Sequence, residues 1–392
     1  MKKFRKDILA MLLVLAGFML WSGAAVRYRE LASGCGGISL RFEKNSLDVD
    51  SLTEIYERQK AAGTDSELTA WRQDYNLKIE DPVLGAGIES DVIYMWGDEK
   101  DVLGPLGGEG CAMSGDKAYE LWGSRDVLGK NVCVDKDAYQ VTSVINNIPG
   151  IIVVQKDNYK KDMKFVSLDM KLQSGEDESV RTEEFMLQNS KTADSTINYS
   201  DLLSLAGNFC GFPALTISAL MCGKILYGVY CYRKDEKGCR TIASYVFFLS
   251  SWICICIYSG SIFFEIPASF IPTKWSDFDF WSALFKRHAE DLNGLRMMRT
   301  YALDSYIKNA FIYILACGLL SSACFIAALR HVKNESMNKL IVFETVSAVI
   351  MFCATVAAGA QYGRYTRSYW IILPMYFVFD YLISNFKLYE RT

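Results

Sequence analysis

The stretch ILAMLLVLAGFMLWSGAAV, from Ile8 to Val26, decides the class of this protein. It contains about 19 residues without a charge, which is roughly 28 Å of helix and enough to cross the hydrocarbon core of a bilayer. Four basic residues precede it and are expected to hold its start in the cytoplasm. They are Lys2, Lys3, Arg5 and Lys6. We therefore expect residues 1–27 to form an N-terminal transmembrane anchor, followed by an exported chain.

A cleaved signal peptide is the alternative interpretation of this segment. The small residues from Ser22 to Ala25 supply sites at which a peptidase can cut. The apolar run is longer than the usual signal core of roughly 7 to 15 residues, which favours an uncleaved anchor. Both interpretations place the chain after Val26 outside the cytoplasm.

Apolar runs return in the second half of the chain and predict a C-terminal membrane domain over residues 201–392. Five further spans are expected, at Phe212–Tyr232, Ile242–Phe264, Ala310–Leu329, Leu340–Ala360 and Tyr369–Phe386. The connections 233–240 and 330–339 are rich in Lys and Arg, so they are expected to be cytoplasmic. The prediction is a multi-pass cell-membrane protein with about six transmembrane helices and an extracytoplasmic loop near 265–308.

The polar stretch between these regions, residues 28–200, predicts an extracytoplasmic α+β domain. Short strand-like runs alternate with helical ones. The predicted strands are Gly37–Phe42, Val92–Met95, Asn131–Val134, Tyr139–Ile145, Ile151–Gln155 and Phe165–Leu172. A helix is expected from Ser51 to Ala62 with Ser51 as its N-cap. The acidic run Ser174–Ser179 is expected to be a solvated loop.

Composition argues against several classes of function. The formal net charge of −3 provides no basic field for nucleic acid. Only His288 and His331 are present, so neither a His-rich metal site nor a His-based catalytic triad is expected. The chain has no P-loop motif and is not expected to bind ATP through one. We predict no catalytic residue, metal ligand or cofactor.

Cysteine spacing leaves one structural question open. Most of the 12 cysteines fall in or beside apolar helices, where Cys behaves as a small hydrophobic residue. Only Cys35, Cys111 and Cys133 lie in the polar domain. An odd number allows at most one disulfide, and spacing does not choose the pair.

Besides Glu344, which is near the end of its predicted span, two charged residues lie inside predicted membrane spans. Lys224 is near the middle of Phe212–Tyr232, and Asp380 lies past the middle of Tyr369–Phe386. Each would cost on the order of 3 kcal/mol facing lipid, so both are expected to face protein or water. Both helices are predicted to run in the same direction, so the two residues can reach a similar depth and pair. In the alternative, Lys224 extends to the inner headgroups and Asp380 neighbours Lys387.

The segment CAMSGDKAYELWGSRDVLGKNVCVDKDAYQVTSVI, from Cys111 to Ile145, contains an ordered series of structural signals. A serine opens a short helix, an aromatic–glycine pair ends it, and a Gly-Lys pair leads into a β-hairpin. The residues are Ser114, Trp122, Gly123, Gly129 and Lys130. In order and spacing the segment resembles the periplasmic core domain of MacB-type ABC transporter permeases. The resemblance covers about residues 1–172.

The resemblance implies a non-enzymatic membrane subunit of a bacterial ABC export or signalling system. Its expected partners are membrane lipid, a separate ABC ATPase that hydrolyses ATP, and a second permease or a second copy of this chain. The motif residues are interpreted as fold determinants, so no catalytic role is transferred with them.

The C-terminal half departs from the family pattern. A MacB-like permease would have three spans after the domain and a cytoplasmic coupling helix between its second and third spans. Here the corresponding link, Arg233–Arg240, is too short for such a helix. The alternative function is therefore an extracytoplasmic binding or assembly module on a membrane base, not coupled to ATP.

Overall fold

The computed structural model divides the chain into two compact units. The helix unit comprises Met1–Arg29, Ser204–Glu265 and Ala310–Thr392, and the sheet unit comprises Glu30–Leu203 and Ile266–Asn309. The structure describes residues 2–34, 37–61, 67–98, 103, 109–135, 137–156, 159–171, 178–232, 238–260, 278–284, 286, 301–332, 336–357, 359 and 364–391.

The sheet unit combines strands with helices. The strands are β1 (Ile38–Arg41), β2 (Leu47–Asp48), β3 (Leu68–Glu80), β4 (Gly87–Gly97), β5 (Gly110–Ser114), β6 (Asn131–Val134), β7 (Asp137–Ile145), β8 (Ile151–Gln155), β9 (Lys164–Phe165), β10 (Ser167–Met170) and β11 (Ser195–Asn198). The chain begins with helix α1 (Lys2–Gly34), and the helices of the sheet unit are α2 (Val49–Ala61), α3 (Gly115–Trp122) and α4 (Glu178–Asn189). Within the described ranges, one sheet has the order β11-β1-β10-β3-β4-β8-β5-β7-β6, and β2 pairs with β9.

Strand β3 closes part of this sheet into a ring. Its beginning, Leu68–Trp71, pairs with β10, whereas its end, Ile79–Glu80, pairs with β6. The ladder with β4 is interrupted between Asp74 and Leu77, where Asn76 has a φ of 53°. An irregularity of this kind bends a strand. Because β3 reaches β6, the strands β3-β4-β8-β5-β7-β6 form a closed ring, from which β10, β1 and β11 extend.

Two hydrophobic cores support the two parts of the sheet. The core of the ring includes Val92, Met113, Leu121, Val132 and Val154. The core beside the extending strands includes Leu40, Leu52, Ile55, Leu168 and Phe185, contributed by β1, α2, β10 and α4. The predicted α+β class is confirmed.

Two local predictions in the sheet unit were wrong. Helix α2 begins at Val49 rather than Ser51, because the carboxylate of Asp48 accepts the N–H of Ser51 at 2.8 Å and so takes the capping role. The acidic run was expected to be a loop, but Glu178 and Ser179 open α4. The earlier residues of that run lie outside the described ranges.

The remaining helices, like α1, contribute most of their residues to the helix unit. They are α5 (Tyr199–Tyr232), α6 (Gly238–Ser259), α7 (Ala302–His331), α8 (Met337–Ala357) and α9 (Arg364–Arg391). In the described part of the chain, five helices are long and apolar enough to cross a membrane: Lys6–Gly34, Tyr199–Cys231, Thr241–Ser259, Ala302–Arg330 and Met337–Ala357. The chain is a membrane protein.

The sequence predicts about six apolar spans, and the described residues contain five helices of sufficient length and apolarity. The sixth predicted span, Tyr369–Phe386, is helical within α9 but is not among the five. Asp380 and Asn385 make this segment less apolar than the other spans.

Helix α1 supplies part of the core of the helix unit. Val14, Phe18 and Trp21 are fully buried. The Trp21 indole N–H donates to the carbonyl of Cys210 on α5 at 2.8 Å, and its ring centroid lies 4.8 Å from that of Tyr369 on α9. Cleavage at the small residues Ser22–Ala25 would remove these groups from the core of the helix unit.

Replacing Trp21 should destabilise the helix unit. We expect Trp21→Ala to lower the free energy of unfolding by about 3 to 5 kcal/mol, because it removes a buried ring. Thermal unfolding in detergent measures this effect. The control is Met19→Ala, at a side chain 47% exposed on the same helix, and it should change little. Equal midpoints for the two variants would contradict the role of α1 in the core.

Candidate functional site

The motif segment is built into the ring of the sheet unit. Ser114 has the extended backbone of an N-cap residue, but its side chain makes no capping hydrogen bond. Its Oγ instead accepts the backbone N–H of Ile151 on β8 at 3.2 Å. The helix ends at Gly123, whose φ of 67° is the left-handed conformation that favours glycine, and its N–H donates to Tyr119 O.

Trp122 joins the motif helix to the turn between β3 and β4. Its indole N–H donates to Asp81 at 2.5 Å, and the amine of Lys130 lies 5.1 Å from the centre of the Trp122 ring. The other carboxylate oxygen of Asp81 accepts the N–H groups of Val83 and Leu84. The sequence has a turn signal at Asp81-Pro82, but it does not indicate that Trp122 is the hydrogen-bond partner of Asp81.

Gly129 and Lys130, the last two motif residues, are held by backbone hydrogen bonds. Gly129 has a φ of 80°, its N–H donates to Val141 O at 2.8 Å, and the N–H of Val141 donates to Lys130 O at 2.8 Å. These bonds fasten the segment after α3 to strand β7. The five motif residues therefore lie in a structural framework, with no reactive group converging on them among the described side chains.

The Asp81 contacts predict how the sheet unit responds to acid. The N–H groups of Leu84 and Val83 lower the pKa of Asp81 below its ordinary value. The resulting stabilisation is present above the unfolded-state pKa of about 3.9 and is lost as pH falls through the lower folded-state value. We expect Asp81→Asn to reduce the acid dependence of unfolding, measured as thermal midpoints between about pH 6 and pH 3.

The control for this measurement is Asp126→Asn, at an exposed position close to the same motif. It should leave the acid dependence as in the parent protein. If the two variants behave alike, the hydrogen bonds of Asp81 do not control this pH response.

The structure brings Lys224 of α5 and Asp380 of α9 together in the helix unit. The Lys224 amine lies 2.9 Å from Asp380 Oδ1 and 4.6 Å from the centre of the Tyr376 ring. The side chains are 37% and 10% exposed. Each charge thus has a partner of opposite sign, which reduces the cost of placing either in hydrocarbon.

Exchanging these two charges tests whether the contact fixes α5 against α9. We expect Lys224→Asp and Asp380→Lys each to lower the yield and thermal stability of the folded protein, by up to about 3 kcal/mol, because like charges then meet. The double exchange should recover most of the loss.

The matched control is the exposed pair formed by Lys171 and Glu67, at 2.8 Å in the sheet unit. Its exchange should change stability by less than about 0.5 kcal/mol. A double exchange of Lys224 and Asp380 that is no better than the single ones would show that the pair does not hold the two helices.

A second polar cluster, which the sequence did not reveal, lies in the sheet unit around Arg41. Arg41 is opposite Ser167 on β10, and Ser167 is opposite Trp71 on β3, so the three side chains share one sheet face. Because serine is small, the arginine reaches across two strand spacings, about 9.6 Å, and stacks on the indole. Its Cζ lies 4.5 Å from the centre of the Trp71 ring.

The same guanidinium meets the first turns of two helices that continue into the helix unit. Arg41 Nη2 donates to Asp304 Oδ1 of α7 at 2.6 Å and to the hydroxyl of Tyr199 of α5 at 2.9 Å. The Tyr199 hydroxyl donates in turn to Asp304 Oδ1 at 2.9 Å. The Arg41 side chain is only 1% exposed. We call Arg41, Tyr199 and Asp304 the Arg41 triad.

The described part of the sheet unit contains neither a candidate metal site nor a disulfide between Cys111 and Cys133. In the described ranges, no group of three or more His, Cys, Asp or Glu side chains is placed to hold a metal ion. Cys111 and Cys133 are free thiols on β5 and β6, which flank β7, and burial raises the pKa of Cys111 to about 12. Cys35 and His288 lie outside the described residues.

The chain has matches among solved protein structures. No family model and no curated protein matches the chain. The periplasmic region of MacB from Actinobacillus actinomycetemcomitans matches with 7% identity and a TM-score of 0.34, covering 44% of this chain and 92% of that one.

A second solved structure also matches the chain. The extracellular domain of the noncanonic ABC-type transporter YknZ from Gram-positive bacteria matches with 11% identity and a TM-score of 0.28. The match covers 42% of this chain and 91% of that domain.

Proposed function

We propose that this chain is a non-enzymatic membrane subunit of a MacB-like ABC export or signalling system. Its sheet unit lies outside the cytoplasm, its N-terminus lies inside, and a separate ATPase chain hydrolyses ATP. Changes in the sheet unit are transmitted through the membrane helices rather than through a pore in this chain.

The observation that carries the proposal is the pairing of β1 with β11. Strand β1 follows α1 closely, and β11 ends at Asn198, directly before α5 begins. The two strands are antiparallel neighbours, with Ile38 opposite Asn198. A displacement of either strand therefore reaches the helices on both sides of the domain.

Additional hydrogen bonds reinforce this junction, which lies within the sheet unit. The N–H of Tyr199 donates to the carbonyl of Gly37 at 2.9 Å, and the N–H of Gly37 donates to Ser200 Oγ at 3.2 Å. The side chain of Asn198 accepts the N–H of Asp201 at 3.0 Å and so caps α5. The start of α5 is thus fastened to the residue that precedes β1.

A second candidate function is an extracytoplasmic binding or assembly module that is not coupled to ATP. Helix α5 ends at Tyr232 and α6 begins at Gly238. The intervening residues 233–237 are too few for a cytoplasmic coupling helix, because a single helical turn takes about 3.6 residues. This short link favours the second candidate.

Purification of the tagged protein from its native membrane in mild detergent distinguishes the two candidates. The first predicts a co-purifying ATPase whose ATP turnover in reconstituted vesicles rises when this chain is present. Gly37→Ala should reduce that rise while the ATPase remains bound. Gly37 has a φ of 115°, and an added methyl group would collide with the carbonyl of Met170.

The matched control is Gly85→Ala, at a glycine that also has positive φ but open space around its Cα. It should keep the stimulated ATP turnover. If no ATPase co-purifies and none is stimulated, the first candidate is wrong and the assembly module is retained.

A further inference from the structure

The first residues of α7, up to Asn309, belong to the sheet unit although they follow β11 by about a hundred residues in sequence. The MacB resemblance does not imply a similar attachment. The first N–H of α7, that of Ala302, donates to the side-chain oxygen of Gln73 on β3 at 2.8 Å. This bond satisfies one of the N–H groups that a helix start leaves without a partner. Tyr301, just before the helix, packs edge-on against Trp71, with ring centroids 5.2 Å apart.

The Arg41 triad joins this helix to α5. Asp304 lies in the first turn of α7, where a negative charge is favourable to the helix dipole. Its Oδ1 accepts hydrogen bonds from both Arg41 and Tyr199. One carboxylate oxygen therefore meets a residue of β1 and the first residue of α5.

Water cannot take over the contacts of the Arg41 triad, because the Arg41 guanidinium is buried. Among the described residues, Arg41 Nε and Nη1 are buried and donate no hydrogen bond. The positive charge is stabilised by Asp304, by the Tyr199 hydroxyl and by the faces of Trp71 and Tyr301. Removing Asp304 would leave a buried cation without its ion-pair partner.

We propose that the Arg41 triad is a coupling device that makes the first turns of α5 and α7 move as one body with β1. Three membrane helices would then respond together to the sheet unit: α1 and α5 through the chain, and α7 through side chains. This inference rests on the proposed function for its biological meaning, but the coupling itself is a property of the fold.

Amide hydrogen exchange of the full-length protein in detergent, read by mass spectrometry, tests the device. We expect Arg41→Met to accelerate exchange about tenfold or more in both first turns, 199–203 and 302–306, because charged hydrogen bonds are lost. Asp304→Asn keeps the shape of the side chain but removes its charge, and should accelerate exchange in both segments by a smaller factor.

Arg72→Met is the matched control. Arg72 is a half-buried arginine on β3 that pairs with Asp74 at 2.5 Å. Its side chain lies on the face of β3 opposite to that of Trp71 and Gln73, which contact the start of α7. This variant should leave exchange in 199–203 and 302–306 unchanged. Because Asp304→Asn is nearly isosteric, it provides the test if Arg41→Met does not fold.

Two results would overturn the coupling device. One is unchanged exchange in both segments for Asp304→Asn, and the other is acceleration confined to 302–306, which would show that α7 is held independently of α5. Neither exchange measurement requires an ATPase. A chain without an ATPase partner can therefore retain the device, and failure of the device leaves the ATPase experiment to decide the proposed function.

Discussion

The buried guanidinium of Arg41 is the charge around which one end of the sheet unit is organised. A cation in this position needs an anion, hydrogen-bond acceptors and aromatic faces, because water does not reach it. Asp304, Tyr199 and Trp71 supply these groups from α7, α5 and β3. Strand β1 is therefore fixed from three directions, and the pairing of β1 with β11 brings the start of α5 to the same place.

Strand β3 connects this end of the sheet unit to the ring at the other. It pairs with β10 near Trp71 and with β6 near Ile79, and its irregularity at Asn76 allows both pairings. The motif segment fastens to the ring through Trp122 and Asp81. A long bent strand is thus the structural link between the family-like motif and the Arg41 triad, which are far apart in sequence.

The helix unit obeys a different constraint, since it contains helices that are long and apolar enough to cross a membrane. Its core is formed by aromatic side chains of α1, α7 and α9, including Phe18, Phe325 and Tyr369. Lys224 and Asp380 lie at 2.9 Å from one another in this unit. A pair of opposite charges limits the cost that either would have alone in the bilayer.

The sequence by itself determined the membrane class, the α+β domain and the order of the motif between Ser114 and Lys130. These properties depend on the length of apolar runs and on the spacing of apolar residues within short segments. Strands β6 and β8 were predicted with their observed bounds, whereas β7 begins at Asp137 rather than at the predicted Tyr139. The sequence also indicated that Lys224 and Asp380 could reach a similar depth.

Only the tertiary structure decided the ring closure, the β1–β11 junction and the Arg41 triad. Arg41 and Asp304 are 263 residues apart, and no local pattern marks either as a partner of the other. Asp81 and Trp122 meet for a similar reason, across a strand turn and a helix end. Such contacts depend on strand register, which places distant side chains on one face of the sheet, and register is a property of the folded sheet rather than of any one segment.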